Sequence, residues 1–341
     1  MTDNIHICDN CNEVIDPSEI EFALKNNSDG YYCDWCEWFH YFDKSKKRPS
    51  YKLFLENAQN NNDIRLLQKP KIRLNKRLSL LRYPGGKSKL TNFIYSELNK
   101  EKVKTILSPF AGGASVELSL LEAKVTDNII LNDMDDHLIN FYNTIFEEND
   151  KLVDYIEHSD LSIELYTKAH NYAINNESHS DRKLDPYKAF LYLVNNRCSF
   201  SGIYKAGRLG GKNGSVETLK SRWNTNDLIK RCKQLDELKN KVTITQKDFY
   251  QFIEQYAWDE QSTFLIDPPY VTDQANAIYR HAFNYGNHRD LFEILTNLWE
   301  SHPSSDFFVF YDNHPALYDF ALPQDIQILA RKYSIANSKG V

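Results

Sequence analysis

Lys104-Thr105-Ile106-Leu107-Ser108-Pro109-Phe110-Ala111-Gly112-Gly113-Ala114, followed by apolar residues at helical spacing through Val116, Leu118 and Leu121, is the stretch that decides the fold. The run from Lys104 to Ser108 reads as a buried strand, the glycines as a tight turn, and the periodic residues as a helix. Strand, glycine turn and helix together open a nucleotide-type site in a doubly wound sheet, because glycine lets the backbone approach a ligand closely. The glycines do not follow Gly-x-Gly-x-x-Gly, so a dinucleotide fingerprint is absent.

Downstream, a second strand at Asn128–Leu131 ends in Asn132-Asp133. The interval from the glycine turn suits an acidic residue that reaches ribose hydroxyls from the neighbouring strand tip, which after this turn is favoured over a plain helix cap. Upstream lies Leu80-Leu81-Arg82-Tyr83-Pro84-Gly85-Gly86-Lys87-Ser88. Gly-Gly-Lys-Ser invites a phosphate-loop reading, but that motif needs glycine where Leu81 stands. What remains is a Gly-rich turn between an aromatic and a cation, opening a helix through Ile94 and Leu98.

From Asp135 to about Asn195 the apolar spacing is mainly helical, at Leu138, Phe141 and Ile145 and again at Tyr187, Phe190, Leu191 and Val194. A loop is expected next, from Asn196 through Tyr204 and on to Gly207–Gly214. Its cations, small polar groups and rings are the kinds that contact phosphates and base edges, and the candidates are Arg197, Ser199, Tyr204, Lys205, Arg208 and Lys212, with Arg222 on the helix that follows. A strand at Val242–Thr245 then leads to Lys247-Asp248-Phe249, a carboxylate and an aromatic that can bond and cover an adenine ring. A last apolar run, Thr263–Ile266, ends at Asp267-Pro268-Pro269-Tyr270. Two prolines cannot extend a ladder, so backbone carbonyls stand without ladder partners beside the Asp267 acceptor and the Tyr270 ring. Such a corner suits a planar group that donates two N–H bonds.

The chain of 341 residues, 41% hydrophobic and 26% charged, is long enough for one large or two ordinary domains. No apolar run approaches a membrane span of ~20 residues or forms a signal peptide, and a cytoplasmic location without membrane contact is expected. Net charge is −6, so nucleic-acid contacts must come from local patches. Four of the six cysteines form two Cys-x-x-Cys pairs, Cys8/Cys11 and Cys33/Cys36, while Cys198 and Cys232 stand alone. Paired knuckles on so small a segment point to a structural Zn2+ module over residues 1–43. Residues 44–79 form a basic linker, either merely solvated or following a phosphate backbone.

Taken in chain order, Arg82-Tyr83-Pro84-Gly85-Gly86-Lys87, Pro109 to Gly113, Asn132-Asp133, Asn196-Arg197 with Ser199-Phe200 and Gly202, Asp248-Phe249 and Asp267-Pro268-Pro269-Tyr270 resemble the Dam-like family of DNA adenine N6-methyltransferases. The likeness runs from about Leu80 to the C-terminus. It implies an α/β fold, a Rossmann-like S-adenosylmethionine-dependent methyltransferase sheet of seven strands with a mainly helical target-recognition insertion. The catalytic domain would take residues 80–139 and 236–341, and the insertion residues 140–235.

By the same resemblance Tyr83, Lys87, Phe110, Ala111, Gly112, Gly113, Asp133, Asp248, Phe249 and Asp267 bind the cofactor, and Asp267, Pro268, Pro269 and Tyr270 carry catalysis. An adenine amine is a poor nucleophile hidden inside the duplex. The expected enzyme therefore flips the base, stacks it on Tyr270 and lets Asp267 and the Pro268 carbonyl accept the amine hydrogens. Double-stranded DNA is the expected partner, with a cognate restriction nuclease or other defence component as a further one. Amino methylation of cytosine N4 or of RNA stays open at this point, as does a zinc-containing DNA-binding protein on an inactive methyltransferase scaffold. Lys205–Ser215 does not look like the hairpin that reads GATC in the best-known members. The chain stops at Val341 where family members usually continue into a final strand, so its end is either natural and unusual or truncated.

Overall fold

Five short apolar runs become parallel strands, and the computed structural model describes them within residues 72–83, 85–175, 184–271, 275–301 and 306–311. The strands are β1 (Thr105–Ser108), β2 (Asn128–Asn132), β3 (Val242–Thr245), β4 (Ser262–Ile266) and β5 (Asp306–Val309), arranged in the order β3-β2-β1-β4-β5. Leu107 of β1 pairs with Ile130 on one side and Phe264 on the other. A strand flanked in this way and covered on both faces has no solvent side, which is why Ile106, Leu107, Phe264 and Ile266 are all apolar and buried. Edge strand β3 is only half-buried in comparison. The five strands stand against the seven implied for the whole sheet, and the expected C-terminal ending lies outside the described residues.

The helices are α1 (Thr91–Glu97), α2 (Ser115–Glu122), α3 (Asp136–Glu147), α4 (Asn149–His158), α5 (Ile163–Ile174), α6 (Pro186–Cys198), α7 (Val216–Lys220), α8 (Thr225–Asp236), α9 (Phe249–Tyr256), α10 (Ala275–Ile278) and α11 (Tyr285–Ser301). Local chemistry starts several of them. The Asp135 side chain accepts from His137 N at the head of α3, Ser162 from Leu165 N at the head of α5, and Asp185 from Lys188 N ahead of Pro186 in α6. Helix α6 packs against α3, α4 and α5, with buried Phe141 of α3 meeting Tyr192 and buried Phe190 stacking on Tyr155 of α4. One boundary differs from expectation. Asn196 and Arg197 belong to the last turn of α6 and not to the loop, because Cys198 continues the buried helical face and no breaker intervenes.

The chain divides into two compact units, and α11 crosses the boundary between Glu293 and Ile294. Within Phe283–Glu293, Asn284 and Asn287 exchange side-chain-to-amide bonds of 3.0 and 2.9 Å, and the Phe283 ring meets His288 edge-on at 5.2 Å. Among the described residues no helix is long and apolar enough to cross a membrane.

Candidate active site

Strand order reverses between β1 and β4, since the chain adds β2 and β3 on one side and β4 and β5 on the other. The crevice at the carboxyl ends of strands flanking such a switch point is where doubly wound sheets bind ligands. Buried Asn132 holds the neighbouring tips in register. Its Nδ2 donates to Pro109 O (3.0 Å) and Lys247 O (2.9 Å), and its Oδ1 accepts from Lys247 N (2.8 Å) and Thr245 Oγ1 (2.9 Å). The side chain therefore ties the β1, β2 and β3 tips to one another.

At the β1 tip, Gly112 has φ +45°, and a Cβ there would lie 3.0 Å from the Tyr83 ring. Glycine is needed for the turn and for the ring lying on it. Asp133 Oδ2 accepts from Gly112 N (3.1 Å) and Oδ1 from Asp135 N (3.0 Å), so the carboxylate faces the turn across the strand tips. Burial, then the neighbouring Asp135 charge, push the Asp133 carboxyl up to about 6. Burial, then the charge of Asp133, raise the Tyr83 phenol well above its ordinary range. Phe110 and Phe249 approach with ring centroids 5.7 Å apart, and Asp248 caps α9 through Tyr250 N at 2.9 Å. Asp133, expected from the sequence to meet ribose, and Asp248 and Phe249, expected to meet adenine, thus stand at adjacent tips.

The β4 tip carries the second half. Asp267 Oδ1 accepts from Lys87 Nζ at 2.5 Å and from the Tyr270 hydroxyl at 2.9 Å. The Lys87 ammonium also donates to Gly85 O at 2.9 Å and to the Tyr270 hydroxyl, and lies 4.7 Å from the Tyr270 ring centre. Tyr270 is buried, with Gly85 against its ring. A carboxylate at the switch point is thus engaged by an internal primary ammonium.

The model of the D12 class N6 adenine-specific DNA methyltransferase family matches residues 83–334, a span that includes the β1, β2, β3 and β4 tips. The chain belongs to that family. A comparison with curated proteins finds no match. The enzyme accordingly methylates N6 of adenine in DNA, and the family implies S-adenosylmethionine as the methyl donor.

In this methyltransferase the DNA-contact candidates divide into two groups. Arg197 is turned inward, donating from Nε to Arg222 O (2.7 Å) and from Nη1 to Leu80 O (2.8 Å), and burial lowers its guanidinium to about 10. Ser199 is buried, its hydroxyl held by Asn195 Oδ1 at 3.0 Å and Tyr166 Oη at 3.2 Å. Arg208 donates to Gly211 O and Lys212 O, closing its own loop. Lys205, Lys212 and Arg222 are exposed, and Tyr204 is half-buried against Arg280. The loop is pinned at its base by an antiparallel bridge between Ser199 and Arg208.

Three side chains outside the sequence-derived candidates support the elements around this centre. Asn196 accepts from Arg82 N at 2.8 Å and donates to Arg82 O at 2.9 Å and Gly202 O at 3.2 Å. Glu117 is buried on α2, and its carboxyl is pushed up to about 7 by burial, with the Asp267 charge adding to the effect. Arg280 lies between Asp135 and Tyr204. Asn196 carried a signal as part of the quoted Asn196-Arg197 motif, and Glu117 as an acid within a helical run rich in apolar residues. The four cysteines Cys8, Cys11, Cys33 and Cys36 lie outside the described residues, and among those described no group of three or more His, Cys, Asp or Glu could hold a metal ion. Cys198 and Cys232 are buried free thiols, each pushed up to about 12 by burial.

Proposed function

We propose that Asp267, Pro268, Pro269 and Tyr270 are the catalytic residues, acting on an adenine flipped out of duplex DNA. The observation that carries this is the engagement of Asp267 Oδ1 by two internal donors, one of them a primary ammonium, at the switch point of the sheet. A carboxylate that accepts from an ammonium and a phenol has the chemistry to accept from an exocyclic amine in place of the ammonium. Replacement of Lys87 by the target amine would let Asp267 and the Pro268 carbonyl accept its two hydrogens, drawing the lone pair out of conjugation. Positioning, and not acid–base strength, then governs the step. Tyr270 would stack on the flipped base once Lys87 withdraws from its ring, offsetting part of the unstacking cost of a few kcal/mol.

Residues at the tips of β1, β2 and β3 fit the cofactor. Asp133 would accept from ribose hydroxyls, Asp248 and Phe249 would bond and cover the adenine, Phe110 to Gly113 would line the methionine and ribose side, and Tyr83, Lys87 and Asp267 would complete the cofactor site. Bound there, S-adenosylmethionine supplies an electrophilic methyl group. Residues 140–235 form the target-recognition region and residues 80–139 with 236–341 the catalytic domain, with Tyr204, Lys205, Arg208, Lys212 and Arg222 meeting DNA and Arg197 and Ser199 supporting that surface. Residues 1–43 hold one structural zinc on four cysteines, and 44–79 link it to the enzyme. The protein acts in the cytoplasm, with a cognate nuclease or other defence component as a further partner.

Transfer of label from S-adenosylmethionine to duplex DNA tests the catalytic assignment. Asp267→Ala should lose at least about 1,000-fold in rate; a rate equal to the parent's would remove Asp267 from the chemistry. Elemental analysis should find about one zinc per chain, lost when Cys33 and Cys36 are replaced.

A further inference from the structure

Arg280 follows the catalytic corner, just beyond α10, and its side chain is only 10% exposed. Three other segments converge on it. Its Nε lies 3.2 Å from Asp135 Oδ1, its Nη2 donates to Ala173 O at the end of α5, and its guanidinium carbon is 4.5 Å from the centre of the Tyr204 ring. A second tie runs alongside, since Lys205 Nζ, next to Tyr204, donates to Asn276 O of α10 at 3.1 Å. The Asp135 end leads directly to the cofactor side, because Asp135 N is the donor to Asp133 Oδ1 and Asp133 Oδ2 accepts from Gly112 N.

A buried guanidinium–carboxylate pair contributes little net stability compared with a packed apolar replacement, because desolvation offsets the attraction. What it does supply is geometry, through a planar cation that sits beside a carboxylate while lying over a ring. Here the ring belongs to the loop proposed to meet DNA, and the carboxylate is fixed two residues from the one proposed to meet the cofactor ribose. A displacement of Tyr204 by bound DNA would move the face on which Arg280 rests, and with it the ionic partner of the Asp135 side chain, two residues from Asp133.

We infer that Arg280 is a positioning residue that couples DNA engagement at the Tyr204 loop to cofactor binding at the β2 tip. The inference rests on the assignments of Asp133 and Tyr204 made above. Neither Arg280 nor Asp135 need touch the reacting atoms.

The experiment is calorimetric titration of the full chain with S-adenosylhomocysteine, alone and with a duplex carrying the site found by sequencing methylated DNA from an expressing host. In the parent the duplex should tighten S-adenosylhomocysteine about 5-fold or more. In Arg280→Gln that factor should fall below about 2-fold, while affinity without DNA stays within about 3-fold of the parent. Asp135→Asn, which keeps the cap acceptor for His137 N but breaks the ion pair, should lose the coupling in the same way and serves if Arg280→Gln does not fold. The inference is overturned by a parent with no coupling, by coupling that survives in both variants, or by DNA-free affinity that falls as far as the DNA-bound one. Asp133→Asn separates the two levels: if it leaves S-adenosylhomocysteine affinity unchanged, the ribose assignment has failed and not the role of Arg280.

Discussion

Replacing Glu117 by Gln should change how stability depends on pH more than it changes stability itself. Glu117 is 8% exposed on α2, close enough to Asp267 to feel its charge, and its carboxyl is raised from 4.5 to about 7. Burial is the main cause; hydrogen bonds from the backbone amides of Glu117 and Val116 oppose it. Because the folded state holds this proton more tightly than the unfolded chain, the contribution to stability is fully present below the unfolded value of 4.5 and is lost as pH rises through about 7. The shift corresponds to roughly 3 kcal/mol in total, and about 2.5 kcal/mol of it falls between about pH 5 and about pH 8. Glutamine cannot ionise. The difference in unfolding free energy, Gln variant minus parent, should therefore climb by about that amount across the window, whatever its value at the acid end. Urea denaturation of both proteins at pH steps over this range measures it, and subtraction cancels the similar drift from Asp133, which is raised to about 6. A difference flat to within about 0.5 kcal/mol would refute the claim that Glu117 is held protonated by burial.

Gly202→Ala should destabilise the enzyme by about 3 kcal/mol, since φ is +76° and the new Cβ would lie 2.0 Å from the Arg82 carbonyl oxygen. A urea midpoint within about 1 kcal/mol of the parent would mean that the loop does not rest on Arg82. Asn132→Asp preserves shape but turns the donor to Pro109 O and Lys247 O into an acceptor, leaving buried carbonyls unpaired. A loss of about 3 kcal/mol is expected by denaturation, together with weaker S-adenosylhomocysteine binding as the strand tips separate. Unchanged affinity would show that the tips keep their spacing without Asn132.

Much of the fold was legible because local pattern and tertiary role coincide. The runs at Thr105–Ser108, Val242–Thr245 and Ser262–Ile266 are short, rich in β-branched and apolar residues and end at turn chemistry, with a glycine turn marking the first tip and Asp248 and Asp267 the other two. Motif order extended this to the candidate site: Asp133, Asp248, Phe249, Asp267 and Tyr270 all occupy strand ends or the residues just beyond them. Less legible was the end of α6, where Asn196 and Arg197 looked like loop residues until Cys198 was seen to continue the buried face.

The periodicities and spacing of the amino-acid sequence therefore determined that this chain builds a doubly wound sheet with polar tips, since strand and helix patterns, glycine turns and capping residues act over a few neighbours. Only the tertiary structure decided which donors and acceptors meet. Lys87 and Asp267 are 180 residues apart, Asn132 and Lys247 are 115 apart, and Arg280 reaches the Ala173 carbonyl across 107. Pairings at such separations follow from strand order and helix packing, which bring distant segments together, and no local pattern encodes them. The glycine turn at Gly112 shows both contributions: its need for a left-handed backbone was written in the residues, but the Tyr83 ring on one side and the Asp133 carboxylate on the other came from the fold.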